Sequence, residues 1–315
     1  MMKKNIKSWR VPADGIYQIE LAGACNKGTQ TKSGGFGTAR EKKRTMGWPT
    51  VVAYGACVRG DFELKRDDTL DIRLGKRGNR ATDGCGASYL YHNEREEMLI
   101  VAGGAGGVAK YTGQSAIGAN ASFTLAGACS DVASEDGIVG GGGANHMHAG
   151  GGGGLNSGPV GHTLDYIGPL GFADGIFGGY YQTTLTNGTL HPTVPNGGGY
   201  GGGGYGPRVH DPDRVTKKNM ISREMYQEYG AGGGGGYSGG DAGLEYGGGG
   251  GSFINQATNE KISFCQTCTI QCTVRDITNE ESHPIVMEHP ANENSASDAD
   301  GIDDVPVIIS VSSLA

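Results

Sequence analysis

Three kinds of feature are missing from this sequence, and the first is any segment able to cross a membrane. No stretch of about 18 or more apolar residues occurs in the 315-residue chain, whereas a spanning helix needs about 20. The basic residues 1–7 are not followed by the apolar segment of a secretory leader. We therefore expect contact with a membrane only through a part that is missing from this chain.

The second missing feature is the composition of collagen or of a nucleic-acid-binding chain. Proline is scarce, at 11 residues, and the 61 glycines follow no Gly-X-Y period, which excludes collagen. The glycine runs hold tyrosine but almost no arginine, unlike glycine-rich RNA-binding segments. Between Asp276 and Asp304 there are nine acidic residues and no Lys or Arg. This charge pattern argues against a nucleic-acid partner.

The third missing feature is a catalytic or cofactor motif. No Ser/His/Asp set, carboxylate pair or Walker pattern stands out, so we expect no catalysis and no cofactor. Gly104-x-Gly106-x-x-Ala109 follows an apolar strand, as in a dinucleotide fingerprint, but the residues after it do not predict the required helix. His146-x-His148 lies between glycine runs, where a turn is favoured over a metal site.

Short apolar segments separated by turn residues predict β-strands in the first third of the chain. Residues 15–21 alternate partially, which is typical of a half-buried strand. Segments 49–53, 60–64 and 69–74 have the same character. The continuously apolar segment 98–102 predicts a strand that is buried on both faces.

Glycine far exceeds its usual share of about 7% and is concentrated in nearly pure runs. These runs are 140–143, 150–154, 197–206, 232–236 and 247–251. Ordered glycine loses more conformational entropy than any other residue, so ordered runs need compensating structure. Glycine helices of the polyproline II type lack Cβ atoms, so they can approach closely and exchange backbone hydrogen bonds. The purity of the runs favours such a bundle over the alternative of disordered linkers.

One short α-helix is predicted inside the glycine-rich region, near residues 212–229. Asp211 is a candidate N-cap, Pro212 suits the first helical position, and Gly230 suits the position after the helix. Four residues, Val215, Ile221, Met225 and Tyr229, give this segment an apolar side. The fold class expected is therefore all-β with one helical insertion.

The composition divides the chain into five parts. They are 8–107, the first part of a β-sandwich; 108–251, the glycine-rich bundle with inserted loops; 252–275, the closing strands; 276–304, an acidic tail expected to be disordered; and 305–315, an apolar terminal strand or a truncated segment. Within the closing part, residues 262–274 show the clearest alternation in the chain and predict one continuous strand.

Seven cysteines suggest an oxidising compartment. The disulfide candidates are Cys25, Cys57, Cys85, Cys129, Cys265, Cys268 and Cys272. Because seven is odd, at least one has no partner within the chain. If 262–274 is one strand, Cys265 faces away from Cys268 and Cys272, and these two are about 13 Å apart. A metal site is therefore not expected, and the disulfide connectivity stays open.

Two N-glycosylation sequons fall in predicted loops. They are Asn120-Ala121-Ser122 and Asn187-Gly188-Thr189. Such tripeptides also occur by chance, and they matter only if the protein is secreted. Asn120 and Asn187 are accordingly the glycosylation candidates.

An ordered set of motifs resembles the glycine-rich extracellular region of the anaplastic lymphoma kinase and leukocyte tyrosine kinase receptor family. The set opens with Trp9-Arg10-Val11-Pro12, continues through 60–70 and 99–104, and closes with the glycine runs 232–236 and 247–251 before Ser252-Phe253-Ile254. The motif residues assigned a structural role are Trp9, Pro12, Gly15, Tyr17, Asp68, Leu70, Gly75 and Phe253. No kinase signature is present, and loops 109–139 and 155–195 have no counterpart.

The resemblance implies a TNF-like β-sandwich that is interrupted by a bundle of polyglycine II helices. It also implies an extracellular or cell-surface module that binds a cytokine-like protein ligand and dimerises on binding. It supplies no ligand-contact residue. The alternative is a secreted glycine-rich structural or adhesive protein that presents loops between its glycine runs.

Overall fold

The computed structural model describes most of both strand-rich parts of the chain and the glycine segments between them. The described residues are 7–28, 51–79, 81–109, 117–131, 139–145, 149–156, 166–167, 172, 178–181, 183–184, 190–191, 198–199, 201–206, 230–255, 257–265, 271–279, 283–288 and 309–311. Within them the chain forms two main antiparallel sheets, which confirms the all-β prediction. The helix predicted near 212–229 lies outside the described residues.

The described strands are short, and the longest has nine residues. In chain order they are β1 (Lys7–Arg10), β2 (Gly15–Ala22), β3 (Asn26–Gly28), β4 (Val51–Ala53), β5 (Ala56–Leu64), β6 (Thr69–Arg73), β7 (Ser88–His92), β8 (Glu97–Ala102), β9 (Tyr166–Ile167), β10 (Tyr180–Tyr181), β11 (Thr183–Thr184), β12 (Leu190–His191), β13 (Phe253–Ile254), β14 (Thr258–Phe264), β15 (Gln271–Asp276), β16 (Ile285–Glu288) and β17 (Ile309–Val311).

One main sheet has five strands in the order β1-β6-β7-β8-β13. Strand β8 is buried from Met98 to Ala102, which confirms the expectation from its unbroken apolar sequence. Strand β7 was not predicted, because its five residues, Ser88-Tyr89-Leu90-Tyr91-His92, begin and end with polar side chains. Both of these polar side chains are fully buried.

The other main sheet has six strands in the order β14-β5-β2-β15-β16-β17. Strand β2 lies in its interior, paired with β5 from Gly15↔Leu64 to Ala22↔Cys57 and with β15 from Tyr17↔Asp276 to Leu21↔Cys272. An early strand therefore lies beside a late one in this sheet. Strand β14 occupies an edge and is mostly exposed.

Both sheets contribute to one hydrophobic cluster, which packs them against each other. Ile19 and Leu21 come from the six-stranded sheet, and Leu70, Ile72 and Ile100 come from the five-stranded sheet; all five are fully buried. Alternation explains this arrangement, because every second side chain of each strand points to the same face.

The glycine-rich region is inserted between two paired strands. Strands β8 and β13 are hydrogen-bonded neighbours, with Val101 opposite Phe253, although about 150 residues separate them in sequence. The glycine segments that leave β8 and return to β13 are buried. The insertion therefore begins and ends at one place on the five-stranded sheet.

Glycine segments that are distant in sequence pair through their backbones. The Gly233 N–H donates to the Gly150 carbonyl at 2.9 Å, and the Gly204 N–H donates to the Gly233 carbonyl at 2.7 Å. The Gly234 N–H donates to the Gly248 carbonyl at 2.8 Å. A Cβ on Gly233 would overlap the Gly240 carbonyl, so the spacing of the segments depends on the missing side chain. These bonds between segments give the buried backbone N–H and C=O groups of the glycine runs the hydrogen-bond partners that they need.

The outer face of the five-stranded sheet is covered by aromatic and aliphatic residues of the insertion. Tyr89 and Tyr91 of β7 contact Phe172, with ring centroids 5.2 Å and 5.9 Å apart. The Arg73 guanidinium lies 4.1 Å from the centre of the Phe172 ring. Leu155 and Tyr237 join the same cluster. The outer face of this sheet is therefore covered at its central strands β7 and β8, whereas Ser8 and Arg10 of the edge strand β1 are exposed.

Two predictions for the C-terminal part are wrong. Residues 262–274 do not form one strand, because β14 ends at Phe264 beside β5 whereas β15 begins at Gln271 beside β2. Residues 276–304 are not a uniformly disordered tail, because Ile285–Glu288 forms β16 and pairs with β15. Three apolar residues, Ile285, Val286 and Met287, override the acidic composition around them. Ile309–Val311, within the apolar segment 305–315, pairs with β16 as β17.

Candidate functional site

The outer face of the six-stranded sheet differs from that of the five-stranded sheet, because it presents polar side chains. Alternation in β2 buries Tyr17, Ile19 and Leu21 in the core and leaves Gln18 and Glu20 on the opposite face. The same rule in β15 buries Cys272 and Val274 while Thr273 is half-buried and Arg275 exposed. We refer to this surface, formed by the outward side chains of β14, β5, β2 and β15, as the polar face.

A shallow pocket of about 240 Å³ lies on the polar face. Register places Gln18 opposite Arg275 and Glu20 opposite Thr273, so the four side chains form two adjacent rows. Pro284, which precedes β16, completes the pocket wall. The pocket offers a carboxylate, a guanidinium, an amide and a hydroxyl, which suits a ligand group that both donates and accepts hydrogen bonds.

Neighbouring side chains hold the polar face in place. Gln18 donates to Asp61 Oδ1 at 3.0 Å, and Asn259 donates to Asp61 Oδ2 at 2.7 Å, so this nearly buried carboxylate is satisfied on both oxygens. Cys57 donates its thiol hydrogen to Glu20 Oε1 at 3.3 Å. Arg59, opposite Glu20, has a buried Nε with no hydrogen-bond partner among the described residues.

A second polar cluster joins two turns at one end of the sheets. The His92 ring is fully buried, with Nε2 3.1 Å from Asp68 Oδ2 and Nδ1 3.4 Å from Glu94 Oε2. His92 Nδ1 also accepts the Arg95 N–H at 3.2 Å, so Nε2 carries the hydrogen and donates to Asp68. This arrangement ties the turn between β5 and β6 to the turn between β7 and β8.

The two carboxylates of this cluster are already bonded to the protein. Burial raises the pKa of Asp68, but the Lys65 N–H and His92 bonds outweigh burial and lower it. The Thr69 N–H bond lowers the pKa of Glu94. The three possible ligand atoms lie within 4.8 Å of one another, yet each already makes a protein hydrogen bond. The cluster therefore fits a turn clamp rather than a metal site.

The motif residues near the N-terminus hold the start of β2. Trp9 packs edge-on against Tyr17, with ring centroids 5.5 Å apart. The Tyr17 hydroxyl donates to the Ala13 carbonyl at 2.9 Å, and burial, with the nearby Asp276 charge, raises the pKa of Tyr17. Gly15 begins the strand, and Pro12 is exposed just before it.

The remaining motif residues lie in the sheets rather than in one site. Leu70 belongs to the shared core, and Asp68 belongs to the turn clamp. The Gly75 N–H donates at 2.9 Å to the hydroxyl of the buried Ser88. Phe253 packs on Tyr237 with ring centroids 4.7 Å apart. These placements give the motif residues structural roles.

The structure brings three of the cysteine candidates together. Cys25, Cys57 and Cys265 share one small hydrophobic cluster at the end of the six-stranded sheet. Cys85 packs in another cluster, Cys129 is exposed, and Cys272 lies in the shared core. Among the residues that the structure describes, no disulfide joins two cysteines, contrary to expectation. Cys268 lies outside the described residues.

The cysteines differ in environment, which predicts a difference in reactivity. Burial raises the pKa of the Cys272 thiol to about 12, so its thiolate is scarce at pH 8. Exposed Cys129 should therefore be alkylated by iodoacetamide in the native protein, while Cys272 should react only after denaturation. Peptide mass spectrometry at both stages measures this. Similar native labelling of the two residues would contradict the packing of Cys272.

The glycosylation candidates differ in whether the structure describes them. Asn120 follows a short turn at Ile117–Gly118 and is half-buried. Its Oδ1 accepts the Tyr54 N–H at 2.7 Å. Asn187 lies outside the described residues, as do His146 and His148.

Comparisons with known proteins give this chain no family. Neither the known protein families nor the curated proteins include a match to it. No helix in the part of the chain that the structure describes has the length and apolar character of a membrane-spanning segment.

Sequence reasoning missed the residues of the pocket. Gln18 and Glu20 occupy the polar positions of a strand that was predicted, but their partners Thr273 and Arg275 come from a strand about 250 residues later. The alternation of polar and apolar residues in both strands could have found these residues, because it shows which side chains of each strand point outward. Nothing in one sequence shows that β2 and β15 are neighbours.

Proposed function

We propose that this chain is a non-catalytic extracellular recognition module with the architecture of the receptor ectodomains that its motifs resemble. In this proposal the two sheets are a TNF-like β-sandwich, and the insertion is a bundle of polyglycine II helices. The buried glycine segments and their mutual backbone hydrogen bonds support the bundle. The pairing of β8 with β13 supports an insertion into a continuous sheet.

The observation that carries the recognition role is the contrast between the two outer sheet faces. The insertion covers the five-stranded sheet through Phe172, Leu155 and Tyr237. The described residues leave the pocket on the six-stranded sheet open, with Arg275 exposed beside Glu20. An open sheet face with exposed polar and charged side chains resembles the polar rim of a protein–protein interface.

The partner class that we propose is a cytokine-like protein ligand at the cell surface, with homodimerisation on binding. Opposite charges at Glu20 and Arg275 allow ion pairs of both signs with such a ligand. The glycine bundle acts as a spacer that fixes the orientation of the sandwich. Localisation outside the cell follows from this function.

A secreted adhesive or structural protein is the second candidate. Exposed apolar side chains on the described loops of the insertion favour it: Ile117 is 71% exposed and Val139 is 58% exposed. Such loops, presented between rigid glycine segments, could contact another surface. Binding to isolated surface polysaccharide instead of a secreted protein would support this candidate.

Changes in the pocket should weaken ligand binding. We expect Arg275→Ala and Glu20→Ala each to lower affinity roughly tenfold or more, as removal of a central interface residue does. The measurement is biolayer interferometry of the full chain against a panel of purified secreted proteins, followed by the variants against each binder.

Arg10→Ala is the matched control, because Arg10 is exposed on β1 of the other sheet and pairs with the exposed Asp67. It should leave affinity unchanged. Binders that tolerate both pocket variants would place recognition elsewhere on the molecule, and a panel without binders would remove support for a protein ligand.

A further inference from the structure

The side chain of Asn120 has a fixed orientation. Its Oδ1 accepts the Tyr54 N–H at 2.7 Å, and the next residue, Ala121, donates its N–H to the Tyr54 carbonyl at 2.8 Å. These two hydrogen bonds hold Asn120 and Ala121 against the Tyr54 backbone. Because the amide oxygen faces Tyr54, the amide nitrogen Nδ2 points away from it.

The Nδ2 atom of Asn120 has no bond to the part of the chain that the structure describes that would have to be broken by modification. It makes no hydrogen bond within the described residues, and it is not among their buried polar atoms that lack a partner. The residue as a whole is half-buried. In the sequence Asn120-Ala121-Ser122, the nitrogen that glycosylation modifies is therefore unpaired among the described residues while the oxygen is held.

An exposed aromatic patch begins at the same place. The Tyr54 ring lies 6.3 Å from the Phe264 ring, and the Phe264 ring lies 4.4 Å from the Phe123 ring. Phe123 is 41% exposed and Phe264 is 39% exposed, and Leu125, two residues after Phe123, is 41% exposed. A contiguous patch of exposed apolar side chains usually marks a site of contact with another molecule or group.

We propose that Asn120 carries an N-linked glycan whose first N-acetylglucosamine packs on the Tyr54–Phe264–Phe123 patch. This rests on the proposed extracellular location. The pyranose ring has a face of C–H groups, which is attracted to the negative face of an aromatic ring. Asn120 is bonded to the Tyr54 backbone and lies three residues before Phe123, so a glycan at Nδ2 starts beside the two segments that carry these rings.

The covalent step needs a lipid-linked oligosaccharide pyrophosphate, the usual donor in the secretory pathway. Asn120 Nδ2 forms a bond to C1 of the first sugar, and the bond from C1 to the pyrophosphate oxygen breaks. The lipid pyrophosphate leaves with the electron pair of the broken bond and takes up the proton that the amide nitrogen loses. No oxidant or reductant is required.

The test expresses the full chain behind an added secretory leader in mammalian cells. We expect peptide mass spectrometry after peptide N-glycosidase treatment in H₂¹⁸O to show the modification at Asn120. Ser122→Ala should abolish it while keeping Asn120 and its bond to Tyr54. An unmodified Asn120 in the folded, secreted chain would overturn the proposal.

Packing of the sugar on the patch is tested by melting temperature. An endoglycosidase that leaves one N-acetylglucosamine should give a protein that melts about 1–3 °C higher than the same chain made in bacteria, which carries no glycan and keeps Asn120. Phe123→Ser should abolish this difference, and Ile117→Ser, at an exposed position outside the patch, should keep it. A difference that persists in Phe123→Ser, or no difference in the parent chain, would overturn the packing.

The proposed location is tested separately by finding the natural protein inside or outside its own cells. The leader forces entry into the secretory pathway, so modification at Asn120 in this experiment does not depend on that result. A natural protein retained in the cytosol would refute the proposed function, while the leader experiment would still decide whether the site accepts a glycan.

Discussion

Replacing Gly233 with alanine should destabilise the protein by more than about 3 kcal/mol, or prevent it from folding. A Cβ at this position would overlap the Gly240 carbonyl oxygen and lie 2.7 Å from the Gly152 nitrogen. Both are backbone atoms, so no side chain can rotate away to make room. Separating the segments would also stretch the bond from the Gly233 N–H to Gly150 and the bond from Gly204 to the Gly233 carbonyl.

Gly15→Ala is the matched control for this prediction. Its Cβ would lie 2.9 Å from Thr278 Oγ1, the end of an exposed side chain that can move. We expect a change within about 1 kcal/mol. Urea unfolding followed by circular dichroism measures both variants. If Gly233→Ala costs no more than Gly15→Ala, the glycine segments are not packed backbone to backbone.

Hydrogen exchange at the same glycines tests the pairing without mutation. The N–H groups of Gly233, Gly234 and Gly204 donate to backbone carbonyls of other segments. Protection at these positions should approach that of buried strand residues such as Ile100. Random-coil exchange there would mean that the runs are linkers, and both the fold and the family resemblance built on it would be abandoned.

The sequence was sufficient where burial alone decides structure. The unbroken apolar run in β8 and the alternation in β2 identified those strands, because periodicity reports which faces are buried. It was insufficient where long-range pairing decides. Residues 262–274 alternate as one strand would, yet β14 and β15 lie on opposite sides of the β5–β2 pair. Alternation defines a face but carries no information about which strand is the neighbour.

Because a sequence pattern does not show which segment is the neighbour, the sequence predicted where the glycine runs lie but not which segments they contact. A run such as 232–236 has no side chains that could distinguish one neighbour from another. Its segment contacts Gly150, Gly204 and Gly248, from three different parts of the chain. The polar residues that fix the ends of these segments were missed for a different reason: each is an isolated Asn, Asp or Ser with no motif around it.

Asn26 is the most informative of these isolated residues. Only 4% exposed, it directs Nδ2 to the carbonyl oxygens of Ala81, Gly106 and Asp83, at 2.6, 3.1 and 3.4 Å. It is the first residue of β3, so it joins the β3–β4 pair to the first glycine segment after β8. One amide group thus connects three segments of the chain.

Asn26→Asp should therefore destabilise the protein at neutral pH, by on the order of 3–5 kcal/mol. The substitution preserves shape but replaces the donor with a carboxylate that faces three carbonyl oxygens. Asn26→Ala is the matched control, because it removes the donor without adding charge. It should cost about 1–3 kcal/mol, the penalty for leaving buried acceptors unpaired.

The pH dependence of the free energy of unfolding distinguishes the effect of the added charge from the effect of the lost hydrogen bonds. Burial among carbonyl oxygens raises the folded-state pKa of the introduced carboxyl above its unfolded value, so the folded state binds the proton more tightly. The Asn26→Asp protein should regain stability relative to the parent as pH falls from 8 towards 5, whereas Asn26→Ala should keep a constant deficit. Urea titrations of the three proteins at each pH measure this. Parallel stability profiles for the two variants would show that Asn26 does not face these carbonyls in the folded protein.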